Sequence, residues 1–136
     1  METYPSKVLL AWSEAIRGKE EFTKWLGENG FPELCFALHS FQGKKGADEW
    51  LFEHGHPHWV AFVDATYGKK EAEEWLIRHE YDVLLHLSQA VRASNDSMQW
   101  LRTQGFKELL VVAQRLSELK DFVDFDTNDV HRSPFR

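Results

Sequence analysis

Residues 43–55 read GKKGADEWLFEHG, and residues 68–80 read GKKEAEEWLIRHE, the same text with conservative changes, 25 positions further on. The interval extends in both directions from this pair. Trp25, Trp50, Trp75 and Trp100 are spaced by 25 residues, and each is followed by leucine: Leu26, Leu51, Leu76 and Leu101. Five positions after each tryptophan come Gly30, Gly55, Glu80 and Gly105, and then a ring in every copy: Phe31, His56, Tyr81 and Phe106. A small-residue column runs Ala15, Ser40, Ala65, Ala90, and a turn column runs Gly18, Gly43, Gly68, Ala93. A period of about 20 to 50 residues marks an array of units, none of which buries its apolar face alone. Five such units, 5–29, 30–54, 55–79, 80–104 and 105–129, form a single repeat domain over residues 1–129. Residues 130–136 are expected to be a poorly ordered tail.

Within a unit the apolar spacing is helical. Val8, Leu9, Trp12, Ala15 and Ile16 recur on one face, Pro5 suits a first helical turn, and Gly18 suits a left-handed stop. Residues 19–29 then form a second helix with Phe22, Trp25 and Leu26 inward, ended by Gly30. Units two and three repeat this plan from Pro32 and Pro57. In unit four Asp82 replaces the proline, with the carboxylate expected as a cap, and Ser94 with Asn95 replaces the glycine turn as cap of the next helix. In unit five Glu118 stands at the turn, so the first helix is expected to run on through Leu119 and Phe122, as in a terminal cap whose outer face has no neighbour. No stretch alternates as a strand does. The expected fold is all-α: an α-solenoid of about five stacked helix-turn-helix repeats, with nine or ten helices. On this reading Trp75→Ala costs about 3 to 5 kcal/mol, the range for a buried large aromatic, and Tyr67→Ala much less.

The second-helix text, with its leading Gly, paired large residues and His-Gly ending, resembles the outer-helix half of an ankyrin repeat, and Pro32 and Pro57 stand where that family starts its first helix. The units are short, and the links from Gly30 to Pro32 and from Gly55 to Pro57 leave no room for the family's β-hairpin fingers. The resemblance implies protein-protein recognition through side chains on one face, with no fixed catalytic residues.

Six tryptophans and 43% hydrophobic residues suffice for a core, and a lone Cys35 forms no internal disulfide. A net charge of −6 argues against a duplex nucleic-acid partner, and no run of residues is apolar enough to span a membrane. A cytoplasmic protein without a cofactor, a monomer or weak dimer, is the expectation.

Chemistry is sparse. Glu53-His54-Gly55-His56-Pro57-His58 places three alternating imidazoles beside a carboxylate, which could ligate a metal. Each of these histidines also fills an ordinary repeat column: His54 a helix end, His56 the ring position. Cys35 and His39 are four residues apart, yet Cys35 belongs to an apolar column with Val60, Leu85 and Leu110. Lys44, Lys45, Lys69 and Lys70 open two successive second helices and form a basic patch, either a solvated face or a site for an acidic group. The first helices carry a polar column that changes identity, Glu14, His39, Asp64, Gln89, Gln114. Beside it lie Phe36 and His86 and, a turn on, Tyr67 and Arg92. The expected binding strip is His39, Asp64, Tyr67, His86, Gln89 and Arg92, open to a protein or peptide partner. The alternative is a metal-dependent regulator or small enzyme built on His54, His56 and His58.

Overall fold

The computed structural model describes residues 4–126. Its nine helices are α1 (Ser6–Ile16), α2 (Glu20–Glu28), α3 (Pro32–Phe41), α4 (Ala47–Glu53), α5 (Pro57–Thr66), α6 (Lys70–Arg78), α7 (Asp82–Val91), α8 (Asn95–Thr103) and α9 (Lys107–Asp126). Among the described residues there is no strand, and no helix is long and apolar enough to cross a membrane. The expected boundary at 129/130 and the expected tail lie outside the described residues.

Both turns of units one to four follow one hydrogen-bonding scheme. At the end of the second helices the amides of Phe31, His56, Tyr81 and Phe106 donate to the carbonyls of Leu26, Leu51, Leu76 and Leu101, the six-to-one bond of a helix closed by a left-handed residue. The left-handed residue is glycine in three copies, but Glu80 takes φ 61° in the fourth, and Ala93 takes φ 72° at the other kind of turn. A side chain in that region is strained by its Cβ, a cost of roughly 1–2 kcal/mol. Glu80→Gly is therefore expected to raise the unfolding free energy by about 1 kcal/mol, the relief being partly offset by the greater freedom of glycine in the unfolded chain. Urea denaturation measures this, and an unchanged or lowered midpoint would contradict it. Ser94 caps α8 as anticipated, its hydroxyl accepting from the amide of Ser97 at 3.2 Å. Asp82 does not cap: it is the first residue of α7, taking the place of the prolines, and the cap position is Tyr81.

The five first helices, α1, α3, α5, α7 and α9, pack each against the next, and the second helices lie outside them, each touching its own first helix and the following one. The array then closes. α1 and α9 form the most extensive helix-helix contact of the molecule, and the Ser6 hydroxyl donates to Glu108 across 102 residues of sequence. This contact repeats the internal register. Glu108 and His58 are equivalent positions, as are Ser6 and Tyr81, and His58 stacks on Tyr81 at 5.0 Å between α5 and α7. Unit five thus meets unit one as unit three meets unit four. The expectation that the last unit's face has no neighbour is corrected: its neighbour is the first unit.

Closure leaves a centre, and large side chains fill it. Trp12 of α1 and Trp59 of α5, on helices that are not adjacent in the ring, meet edge to face at 5.3 Å. Phe62 meets Trp59 at 5.6 Å, and all three are at most 1% exposed. The Trp12 indole N–H donates to the Leu34 carbonyl at 2.9 Å, so its polar atom is satisfied inside the core. In the outer layer the residue sealed in every copy is the leucine after the repeat tryptophan: Leu26, Leu51, Leu76 and Leu101 are all 0% exposed. Each such burial contributes about 1.5–3 kcal/mol. The repeat tryptophans themselves are only half-buried.

Candidate functional site

In α3 and α7 the face that carries the polar column is turned toward the second helix of the same unit. Phe36 stacks on Trp50 at 4.1 Å, 9° from parallel, and His86 occupies the same place on Trp100 at 4.0 Å and 15°. His86 Nδ1 lies 3.0 Å from the Ser97 hydroxyl, which is 2.6 Å from Gln89 Oε1. A hydroxyl has one proton, and here it goes to Gln89, so Nδ1 carries the imidazole hydrogen and donates to Ser97. His86 and Gln89 therefore join α7 to α8. In unit two Ser40 likewise donates to Asp48. Burial holds the Asp48 carboxyl above its usual range, against the lowering by that bond.

The expected strip is not evenly open to solvent. Asp64 is 0% exposed, and His39, His86 and Gln89 are half-buried within helix pairs. His39 packs against Phe36 at 5.8 Å, and burial first, then the Lys44 charge, lowers its pKa. Tyr67 is half-buried, its hydroxyl donating to the Phe41 carbonyl at 2.8 Å and its ring 5.5 Å from the Lys120 ammonium. Arg92 alone of the six is exposed, 3.9 Å from Glu73. His86 and Gln89 are matched to Ser97 of their own second helix, whereas Tyr67 reaches back to α3 and Arg92 to α6; a single sequence does not distinguish such internal matching from adaptation to a partner.

The basic patch is real as exposure: Lys44, Lys45 and Lys70 are exposed and Lys69 half-buried. Neither Lys45 with Glu49 nor Lys70 with Glu74 closes to a salt bridge. Lys44 and Lys45 precede α4, which begins only at Ala47, after Gly46 in the left-handed region.

The three histidines lie along one edge without converging on a point, His56 and His58 meeting edge to face at 5.8 Å. His54 lies on Trp50 at 4.0 Å and its Nδ1 is 2.8 Å from the Trp50 carbonyl of its own helix. His56 is nearly parallel to the same indole at 6.1 Å, while His58 faces Tyr81. Among the described residues no group of three or more His, Cys, Asp or Glu side chains is placed to hold a metal ion. Cys35 is buried, its thiol 3.3 Å from the Thr23 carbonyl, and burial raises its pKa, as befits an inert thiol.

His58 sets an acid limit. Burial, followed by the charge of His56, lowers its pKa from 6.5 to about 4. A histidine whose folded pKa lies below its unfolded one contributes stability that is complete above 6.5 and lost as pH falls toward 4. After allowance for the water still reaching this half-buried ring, His58 should cost about 1 kcal/mol between pH 7 and pH 5. Thermal unfolding at both pH values, compared with His58→Gln, measures this share; an equal pH slope in the two proteins would contradict it.

The place where a first-helix face is left open is at ring closure. In units two and three the position of Leu10 is held by Cys35 and Val60, at 8% and 0% exposure, whereas Leu10 is 45% exposed. The position of Ala61, 0% exposed, is occupied in α9 by Val111 at 37%. Cys35 shows what covers this position elsewhere, since its sulfur touches the second helix of the preceding unit. Before unit one there is no such helix among the described residues, because α9 continues straight through the expected turn. Beside Leu10 a groove of about 730 Å³ runs between α1 and α2. Leu10, Ala11, Phe22 and Trp25 form its apolar wall, and Lys7, Glu14 and Glu21 its charged rim. Ala11 stands where Phe36 and His86 stack, so no ring from α1 covers Trp25; the Lys7 ammonium sits 5.4 Å from its ring instead. The sequence signal for this groove was the alanine at position 11 opposite a bulky Phe22, where units two and four pair a large residue with Ala47 and Ser97.

Compared with protein-family models, curated proteins and solved structures, the chain matches none of them.

Proposed function

We propose that the protein is a non-enzymatic binding module that receives a protein or peptide segment on the outer surface of α1, in the groove formed with α2 and beside the joint of α1 with α9. The observation that carries this reading is the exposure of Leu10, an apolar residue at a position buried in units two and three, beside an apolar wall with a charged rim. Such a surface excludes little water by itself and gains by being covered. The resemblance of the second-helix text to ankyrin outer helices points to the same class of function. This surface is preferred to the strip of first-helix residues because Asp64 is buried and His86 and Gln89 are engaged with α8.

The test is selection of a displayed peptide library on the intact protein. Enriched peptides are expected to lose binding to Leu10→Asp and to keep it with Arg92→Ala, which lies on another part of the surface. Peptides indifferent to Leu10→Asp would overturn the assignment. The metal reading on His54, His56 and His58 gains no support from a converging set of three ligands among the described residues. Stoichiometric zinc or nickel in protein purified without a histidine tag would restore it.

A further inference from the structure

We propose that the outer face between α9 and α1 binds one amphipathic helix of a partner protein, laid in the register of this chain's own second helices, with a small or hydroxyl residue followed three and four positions later by Trp and Leu. The inference rests on the binding reading above and specifies its ligand.

Its basis is the equivalence of the five joints. The contact of α9 with α1 keeps the register of the internal joints, as the Ser6–Glu108 bond shows beside the Tyr81–His58 stack. Each internal joint is covered by a second helix whose central leucine is fully buried. Three of those helices share one spacing: Ala47 with Trp50-Leu51, Ala72 with Trp75-Leu76, Ser97 with Trp100-Leu101. The fifth joint presents the receiving side of that arrangement. Leu10 stands where Leu110 stands beside α8, Val111 where His86 receives Trp100, and Gln114 where Gln89 accepts the Ser97 hydroxyl. Gln114 directs its amide nitrogen to Glu118 at 3.1 Å, so its oxygen is the atom that accepts. The receiving side therefore most resembles the seat of α8, and an α8-like helix is the ligand it fits.

Among the described residues none supplies this helix. The residues that would form a fifth second helix by counting are used to prolong α9 to Asp126. The ten that follow, TNDVHRSPFR, contain neither Trp nor Leu. A second copy has its second helices buried in its own ring. The occupant we assign is a helix from another protein, a helix-in-groove mode read through anchors at one turn's spacing.

The probe is a fluorescein-labelled peptide with the sequence of residues 94–104, SNDSMQWLRTQ, cross-linked through the solvent-facing positions of Gln99 and Thr103 to hold it helical, because so short a helix is otherwise marginal in water. Added to the full-length protein, it is expected to bind saturably. A version with the tryptophan changed to alanine, and the protein variants Leu10→Asp and Val111→Asp, should each weaken binding at least about tenfold, the scale of a lost interface anchor. Both protein positions are exposed, so circular dichroism should show their folds intact, and Ile77→Asp, exposed on α6, should leave affinity unchanged. Failure to saturate at about 1 mM, or equal affinity of the Trp and Ala peptides, overturns the inference. Library peptides that depend on Leu10 but lack the Trp-Leu spacing would overturn it while leaving the binding module standing. A concentration-dependent dimer abolished by Leu10→Asp would assign the face to a second copy, and gain of affinity on deleting residues 127–136 would assign it to the chain's own end; either result overturns it.

Discussion

Trp59→Ala is expected to lower the unfolding free energy by about 3 to 5 kcal/mol, enough to consume a large part of the stability of a domain this size. Trp59 is 1% exposed and is held on two sides, by Trp12 from across the ring and by Phe62 one turn along its own helix. Truncation removes the transfer free energy of the indole and leaves a hole at the point where the first helices converge, whose walls are other helices and relax little. The half-buried Trp75 provides the comparison. It lies on the outer layer, stacked on His79 at 4.1 Å, and should lose clearly less than Trp59 on the same change. Denaturant unfolding of the two variants side by side measures the difference, and equal losses would mean that the centre of the ring is not where its strength lies.

Removal of residues 105–136 should abolish cooperative folding. In an open array, loss of a terminal unit costs one unit and one interface, and the remainder stays folded. Here α9 is held by α7 and α8 on one side and by α1 on the other. Leu109, Val112 and Leu116, all 0% exposed, complete the wall of the central core. Cutting at Gly105 uncovers that core on both flanks, a loss well above the roughly 5 kcal/mol that single core changes reach. Calorimetry should show no sharp transition, and proteolysis should degrade the truncated chain throughout. A stable product covering residues 4–104 would show that the ends of the array do not depend on one another.

The helices and their turns were legible because two periods coincide: 25 residues between units and about 3.6 within a helix. The breaks at Gly18, Gly43 and Gly68 mark turns that any reader of the repeat would place, and Glu118 at the fifth turn announced the long α9. Closure was not legible, since a column of apolar residues at positions such as Leu9, Trp59 and Leu109 is the same whether units continue in a line or return upon themselves. The curvature that decides between them arises from side-chain volumes, above all Trp12 and Trp59 filling the middle, and no spacing records it. The exposure of the expected strip was illegible for a related reason. Polarity alone does not separate a residue facing water from one facing a polar mate. Asp64 is buried, and Gln89 and His86 are bound to Ser97. Tyr67 was expected to be cheap to lose, yet it closes a bond to the Phe41 carbonyl. What variation did reveal, in hindsight, is the exchange of size between Ala11 and Phe22.

The pairing of α1 with α9 also dictates an order of events during synthesis. Glu108 is added 102 residues after Ser6, which at about 5 to 20 residues per second is roughly 5 to 20 s of translation. Throughout that interval the earliest helix has been made without α9, so Trp12 and Trp59 lack part of the wall that buries them until α9 follows. Chaperone engagement of this polypeptide should accordingly peak late and end abruptly, when the circle is sealed.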